Sequence, residues 1–251
     1  MKCLKDIEHR SHLRAAELGL DREADLVTGP HNVLGIELNE YAAELARVTV
    51  WIGELQWRIQ RGYGFKTQPV LEPLDHIECR DAVLNADGSE AVWPKADAVV
   101  GNPPFLGGSK KRQELGGATF DALAQAFVDR VAPGADLVCY WFEIARNQIA
   151  VGRLHAAGLV ATNSIRQSGN RQVLEAICRS SRLFEVWDDL EWVNDGAAVR
   201  VSLVCFGHSM DSRLNGQVVA AIGADLHATH LGFDFSTAKV LSESTSASFQ
   251  G

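Results

Sequence analysis

Residues 96–105 read ADAVVGNPPF. ADAVVG is a short apolar run, the pattern of a strand covered on both faces. NPPF cannot prolong it. Each proline fixes its own φ, restricts the residue before it and lacks the N–H that a strand ladder needs. The chain therefore leaves the strand through a stiff corner. Upstream lie NVLGIEL (32–38) and LDHIECRDAV (74–83), two short apolar runs that each end near an acid. Between them Asn39 is a candidate N-cap. Residues 41–61 keep helical spacing, with Leu45, Val48, Ile52, Leu55 and Ile59 as the expected buried stripe and Gly62 and Gly64 as the stop. A helix over 2–18, with Leu4, Ile7, Ala15 and Leu18 in register and Gly19 at its end, comes first. It is followed by a polar connection broken at Thr28-Gly29-Pro30. Downstream come a Gly-, Lys- and Arg-rich loop, LGGSKKRQELGG (106–117), and helical segments at 119–131 and 136–151 separated by Pro133-Gly134. A fourth strand, GLVATNSI (158–165), a helix over 171–180 and two late strands, LFEVWDDL (183–190) and VRVSLVCFG (199–207), follow. Strands alternating with helices of about ten residues or more predict an α/β chain with a mainly parallel sheet. The last two strands, with no helix between them, predict a hairpin at one sheet edge.

The whole composition fits this reading. The chain has 251 residues, of which 46% are hydrophobic and 22% charged, so it can bury a core. No apolar run reaches the roughly 20 residues of a membrane span, and MKCLKDIEHR has no signal-peptide pattern. A formal charge of −8 argues against a surface that grips nucleic acid everywhere, though not against a local basic cleft. Cys3, Cys79, Cys139, Cys178 and Cys205 stand far apart with no CxxC pair. They read as small buried groups in a reducing cytoplasm. Trp51, Trp57, Trp141, Trp187 and Trp192 read as packing, and the eight histidines show no ligand spacing. Residues 208–251 are Ser-, Thr- and Gly-rich, with one possible strand, QVVAAI (217–222). They are expected to be a linker or the opening of a further module.

Three strand ends carry chemistry. In open α/β sheets ligands bind beyond the carboxyl ends of the strands. There Asn102 offers a side-chain carbonyl, and Pro103 keeps its backbone carbonyl although it has lost its donor. Two acceptors, held rigid by Pro103 and Pro104 beside the Phe105 ring, suit a planar ring bearing an exocyclic NH2. An ordinary Asn-Pro turn is the plain alternative. Glu37, at the tip of one strand, is placed to accept ribose hydroxyls, and Asp81, one strand later, to accept from an adenine amino group. Either acid alone also reads as a turn or helix-start charge. A basic set, Lys110, Lys111 and Arg112 after NPPF and Arg166 and Arg171 after the fourth strand, could meet phosphates. Residues 163–182 carry four Arg and one Glu, a net +3.

These residues resemble the N6-adenine DNA methyltransferases that use S-adenosylmethionine. NPPF is similar to their catalytic (N/D)PP(Y/F) motif, GIELNEYAAELAR (35–47) to their second motif and RDAVL (80–84) to their third. The wider stretches GNPPFLGGSKKR, ATNSIRQSGNR and EWVNDGAAVRVSLVCFG look closest to the methyltransferase region of MmeI-like restriction–modification enzymes. The resemblance covers residues 1 to about 207. The family's first motif, a strand with a Gly-rich turn, finds no match, so the chain is expected to be a central piece of a larger protein. NPPF alone also occurs in methyltransferases of protein glutamine and of RNA.

The resemblance implies a Rossmann-like class I methyltransferase fold lacking its first strand and Gly-rich loop. It further implies a catalytic domain over 1–207 and the start of a target-recognition domain over 208–251. The implied activity is methyl transfer from S-adenosylmethionine to adenine N6 in double-stranded DNA, with the adenine flipped out of the helix. Asn102, Pro103, Pro104 and Phe105 would be catalytic, Glu37, Leu38, Asp81 and Ala82 cofactor-binding, and Lys110, Lys111, Arg112, Arg166 and Arg171 DNA-binding. A non-catalytic fragment that joins a partner chain is the competing expectation.

Overall fold

The computed structural model describes residues 1–16, 26–63, 74–194 and 197–229, divided between two compact units, 1–94 and 95–251. Leu18 and Gly19, Gly64 and the tail from 230 lie outside the described residues.

In the first unit, α1 (Lys2–Ala16) is followed by β1 (Gly35–Glu37), α2 (Glu40–Arg61) and β2 (Ile77–Cys79). β1 and β2 pair in parallel, with Glu37 opposite Cys79, so their carboxyl ends lie side by side. Asn39 caps α2 by accepting a hydrogen bond from the Ala42 N–H at 3.0 Å. Gly62 ends the helix in the left-handed region, φ +71°, where glycine has no Cβ to strain.

The buried face of α2 is not the expected stripe. Ala43, Glu54 and Trp57 are buried, whereas Leu45, Val48, Ile52 and Ile59 are exposed and Leu55 is half-buried. The cause is polar. Lys5, fully buried on α1, puts its ammonium 2.7 Å from Glu54 and 3.0 Å from the Thr28 carbonyl, and lies over the Trp57 ring. Trp57 donates its indole N–H to Asp6 at 3.0 Å, and His9 meets the Tyr63 hydroxyl at 2.8 Å. Lys5 and His9 thus turn inward, and Leu4 and Ile7 face outward. A buried ion pair must keep its partner, so it sets the rotation of both helices.

The second unit carries β3 (Ala98–Gly101), α3 (Gly108–Leu115), α4 (Gly117–Ala126), α5 (Val138–Ala150), β4 (Ala156–Thr162), α6 (Ser168–Ser180), β5 (Arg182–Asn194), β6 (Ala197–Gly207), β7 (Ser212–Leu214) and β8 (Gln217–Val219). Six strands form one sheet in the order β3-β4-β6-β5-β7-β8. β3 and β4 are parallel, as are β5 and β7, while β6 runs antiparallel to both β4 and β5. The sheet is therefore mixed rather than mainly parallel. The late hairpin lies inside it, with β6 between β4 and β5, and β7 and β8 extend the sheet past residue 207. The core joins Phe142 and Ile144 of α5, Leu174 and Ile177 of α6, Leu159 of β4 and Val204 and Phe206 of β6. The Phe142 and Phe206 rings stack at 5.7 Å.

The loop expected over 106–117 contains α3. Lys, Arg, Gln, Glu and Leu are strong helix formers, and Gly107 and Gly116 bound the run. Trp57 and Trp93 are core residues, but Trp187 and Trp192 are exposed on β5. Of the cysteines only Cys139 is buried, and Cys3, Cys79 and Cys178 are exposed. Among the described residues no helix is long and apolar enough to cross a membrane.

Candidate active site

β3 runs straight into the NPPF corner. Pro103 is buried and anchors it, Asn102 and Pro104 are exposed, and the Phe105 ring is 44% exposed. Among the described residues, no hydrogen bond engages the Asn102 side chain or the Pro103 carbonyl. The corner thus presents acceptors and a ring face without an internal partner.

Behind the corner the chain is held tightly. The Leu106 carbonyl accepts from the Leu137 N–H at 2.8 Å, and the Gly108 N–H donates to Asp136 Oδ1 at 2.9 Å. A Cβ on Gly108 would lie 1.8 Å from the Gly134 carbonyl oxygen, so only glycine fits this approach. Asp136 Oδ2 accepts from Asn170 Nδ2 at 2.8 Å and from the Ser164 hydroxyl. The Asn170 side-chain oxygen in turn accepts from the Asp136 N–H at 2.7 Å. Composition and motif reading had not marked Asp136, Ser164 or Asn170. Asp136 stands out in the sequence only as one acid in the otherwise apolar run VAPGADLVCY (131–140), and Ser164 and Asn170 sit among other polar residues that give neither a distinguishing signal.

Lys111 departs from the expected phosphate contact. It is fully buried, and its ammonium donates to the Ala135 carbonyl at 2.6 Å and the Tyr140 hydroxyl at 3.1 Å. Burial lowers its pKa, although the Asp136 charge opposes the shift. Burial also pushes the neighbouring Cys139 thiol and the Tyr140 hydroxyl up to about 12 each. Lys111 is thus a structural pin of α3. Lys110 is exposed, and Arg112 is exposed with Asp121 at 3.2 Å. Arg166 lies 3.5 Å from Asp188, and Arg171 lies 3.3 Å from Glu175. Both are thus ion-paired within the second unit.

In the first unit, Glu37 ends β1 and Asp81 follows β2, its parallel neighbour. Glu37 Oε1 accepts from the Asn39 N–H at 2.8 Å, and Asp81 Oδ1 accepts from the N–H groups of Val83 and Leu84 at 2.7 and 3.2 Å. Among the described residues no hydrogen bond engages the second oxygen of either carboxylate. Two held carboxylates with one acceptor oxygen left on each form an acceptor set that fits the donors of a ribose diol and an amino group. Leu38 is exposed beside them, and the Ala82 carbonyl accepts from the Trp93 indole N–H at 2.7 Å.

The chain is similar to known proteins. The family model described as the MmeI DNA-methyltransferase domain matches residues 1–216. DNA methyltransferase A of Bacillus subtilis (strain 168) is 27% identical over 198 residues, covering 72% of this chain and 21% of that protein. The solved structure of the Type IIL restriction–modification enzyme MmeI in complex with DNA aligns with a TM-score of 0.64 at 22% identity. That alignment covers 84% of this chain and 31% of the MmeI chain. The chain therefore spans about a fifth of the curated relative and under a third of MmeI.

Proposed function

This chain belongs to the family of MmeI DNA-methyltransferase domains, and from that premise we propose that it is the methyltransferase part of a restriction–modification enzyme that methylates adenine N6 in double-stranded DNA. Its fold is the class I methyltransferase fold, with a mixed sheet. The observation that carries the reading is the NPPF corner, where an exposed Asn102 and a half-exposed Phe105 stand on a buried Pro103 at the end of β3. Asn102 Oδ1 and the Pro103 carbonyl accept hydrogen bonds from the two N–H groups of the target amino group, one proton of which leaves to solvent once the nitrogen carries the methyl group. Both acceptors together draw the nitrogen lone pair out of conjugation with the ring, so it can act as nucleophile. Phe105 stacks on the flipped base, while Pro103 and Pro104 hold these groups in place before the target arrives. No covalent bond to the protein is required.

S-adenosylmethionine is the proposed cofactor, and when bound it supplies the methyl group on its sulfonium. In the first unit, Glu37 holds its ribose hydroxyls and Asp81 its adenine amino group, with Leu38 and Ala82 alongside. Lys110, Arg112, Arg166 and Arg171 are the proposed phosphate contacts, the last three after release from their acidic partners. The catalytic domain takes in β7 and β8, and the residues beyond open the recognition module of a longer, cytoplasmic protein. Besides DNA, the partner is a further chain or the remainder of that protein.

The test is to incubate the longer protein that contains this chain with S-adenosylmethionine carrying a tritiated methyl group and, in parallel reactions, bulk duplex DNA, RNA or protein, then to digest each to nucleosides or amino acids. Label in N6-methyldeoxyadenosine is expected. Label confined to cytosine, to RNA or to protein glutamine refutes the adenine assignment.

A further inference from the structure

We propose that Asp136 is a positioning residue: its carboxylate ties the loop behind Phe105 to the loop leaving the neighbouring strand, and so fixes the two walls between which a flat target base is held. The inference rests on the reading of NPPF as the amino-group site.

β3 and β4 are parallel and adjacent, with Gly101 opposite Leu159, so the loops that follow them leave the same edge of the sheet. One loop is 102–107. The other is the turn Asn163–Arg166, which leads to the start of α6. Neither loop has a backbone ladder to the other. Asp136, between Gly134 and α5, meets the first loop where it enters α3, at Gly108, and the second at Ser164. Its Oδ1 takes the Gly108 N–H at 2.9 Å, and its Oδ2 takes Asn170 Nδ2 at 2.8 Å together with the Ser164 hydroxyl. Asn170 is buried and doubly used, since its Nδ2 also donates to the Ser164 carbonyl at 2.9 Å. The absence of room for a Cβ at Gly108 seats the first loop directly on this segment. Lys111, bonded to the Ala135 carbonyl at 2.6 Å, fastens α3 to the same stretch.

The chemistry requires a carboxylate. Three donors converge from two sides on a group that only accepts. A carboxamide of the same size must turn its NH2 either on the Gly108 N–H or on Asn170 Nδ2. Asp136→Asn therefore breaks one side of the clamp without opening a cavity.

The experiment combines hydrogen exchange of peptides spanning 102–112 and 163–172 with steady-state methylation of bulk duplex DNA, for the full chain and for Asp136→Asn and Ser164→Ala. In Asp136→Asn, exchange at the amides around Gly108 should rise about tenfold, the equivalent of one charge-assisted hydrogen bond. Its kcat should fall by about the same factor while KM for S-adenosylmethionine stays within about twofold. Ser164→Ala should move both readouts the same way by less. Unchanged exchange overturns the clamp. So does raised exchange with unchanged kcat, or a KM for the cofactor that moves in step with kcat. If the unaltered chain does not methylate DNA, the functional reading fails and the clamp is judged by exchange alone. If Asp136→Asn does not fold, Ser164→Ala and Asn170→Ser carry the same expectation, and unchanged values in both overturn it.

Discussion

The two candidate sites use their carboxylates in opposite ways. In the first, Glu37 and Asp81 each bind backbone two or three residues further along and keep one oxygen without a partner among the described residues. In the second, Asp136 has both oxygens engaged by groups 28 and 34 positions away. An acid fixed by its own turn is rigid and still able to accept from a guest. An acid fixed by distant segments is architecture, because any guest must displace a strand-end loop. NPPF sits at the far end of this scale: prolines fix it locally, so its acceptors need no internal partner.

The contrast can be broken by substitution. The largest effect on stability is expected from Gly108→Ala, where the new Cβ would meet the Gly134 carbonyl oxygen at 1.8 Å. The loop must move, at a cost of about 3 kcal/mol in denaturant unfolding, and methylation should fall with it. Unchanged stability would mean that the loop seats elsewhere. Next comes Glu37→Ala, which removes the free oxygen of a turn acid. Calorimetric affinity for S-adenosylmethionine should weaken by about 2 kcal/mol while kcat at saturating cofactor is kept. A fall in kcat with intact affinity would move Glu37 out of the nucleoside site.

Smaller effects should separate exposed from buried cations. Lys110→Ala and Arg112→Ala should each weaken DNA binding and reduce the salt slope by about one. Lys111→Ala should lower the unfolding midpoint without changing that slope. A slope change for Lys111 alone would reverse its assignment as a pin. The smallest effect is expected at Asp189. Hydrogen bonds from Arg200 and Asn163 hold its pKa below the usual 3.8, at about 2. A depressed carboxylate contributes stability that is fully present above its unfolded value and is lost as pH falls through the folded one. Arg200→Ala should therefore lower stability slightly at neutral pH, where the contribution is fully present, leave it unchanged below about pH 2, and flatten acid unfolding between those two values.

Much of this was legible in the sequence because it was local. Asn39 caps, Gly62 stops and NPPF turns the chain by rules that span a few residues. What failed depended on distance. The aliphatic stripe of α2 was read as its buried face, but a lysine 49 positions earlier pairs with Glu54 and rotates the helix. The Lys-rich run looked like a solvated loop, but Tyr140 and the Ala135 carbonyl draw Lys111 inside a helix. β6 lies between β4 and β5 although β5 precedes it in sequence, a topology that no periodicity reports. The free carboxylate oxygens of Glu37 and Asp81 were inferable from their strand ends. The Asp136 clamp was not, because its partners come from three separate segments.

Asn102 is where the central claim is most exposed. If the corner works by offering an oxygen to the target amino group, Asn102→Asp keeps that acceptor and Asn102→Leu removes it at similar size. Turnover of the full chain on duplex DNA should stay within about tenfold for the aspartate and fall about 10³-fold for the leucine. Equal loss in both variants, or full turnover in the leucine variant, would contradict the account.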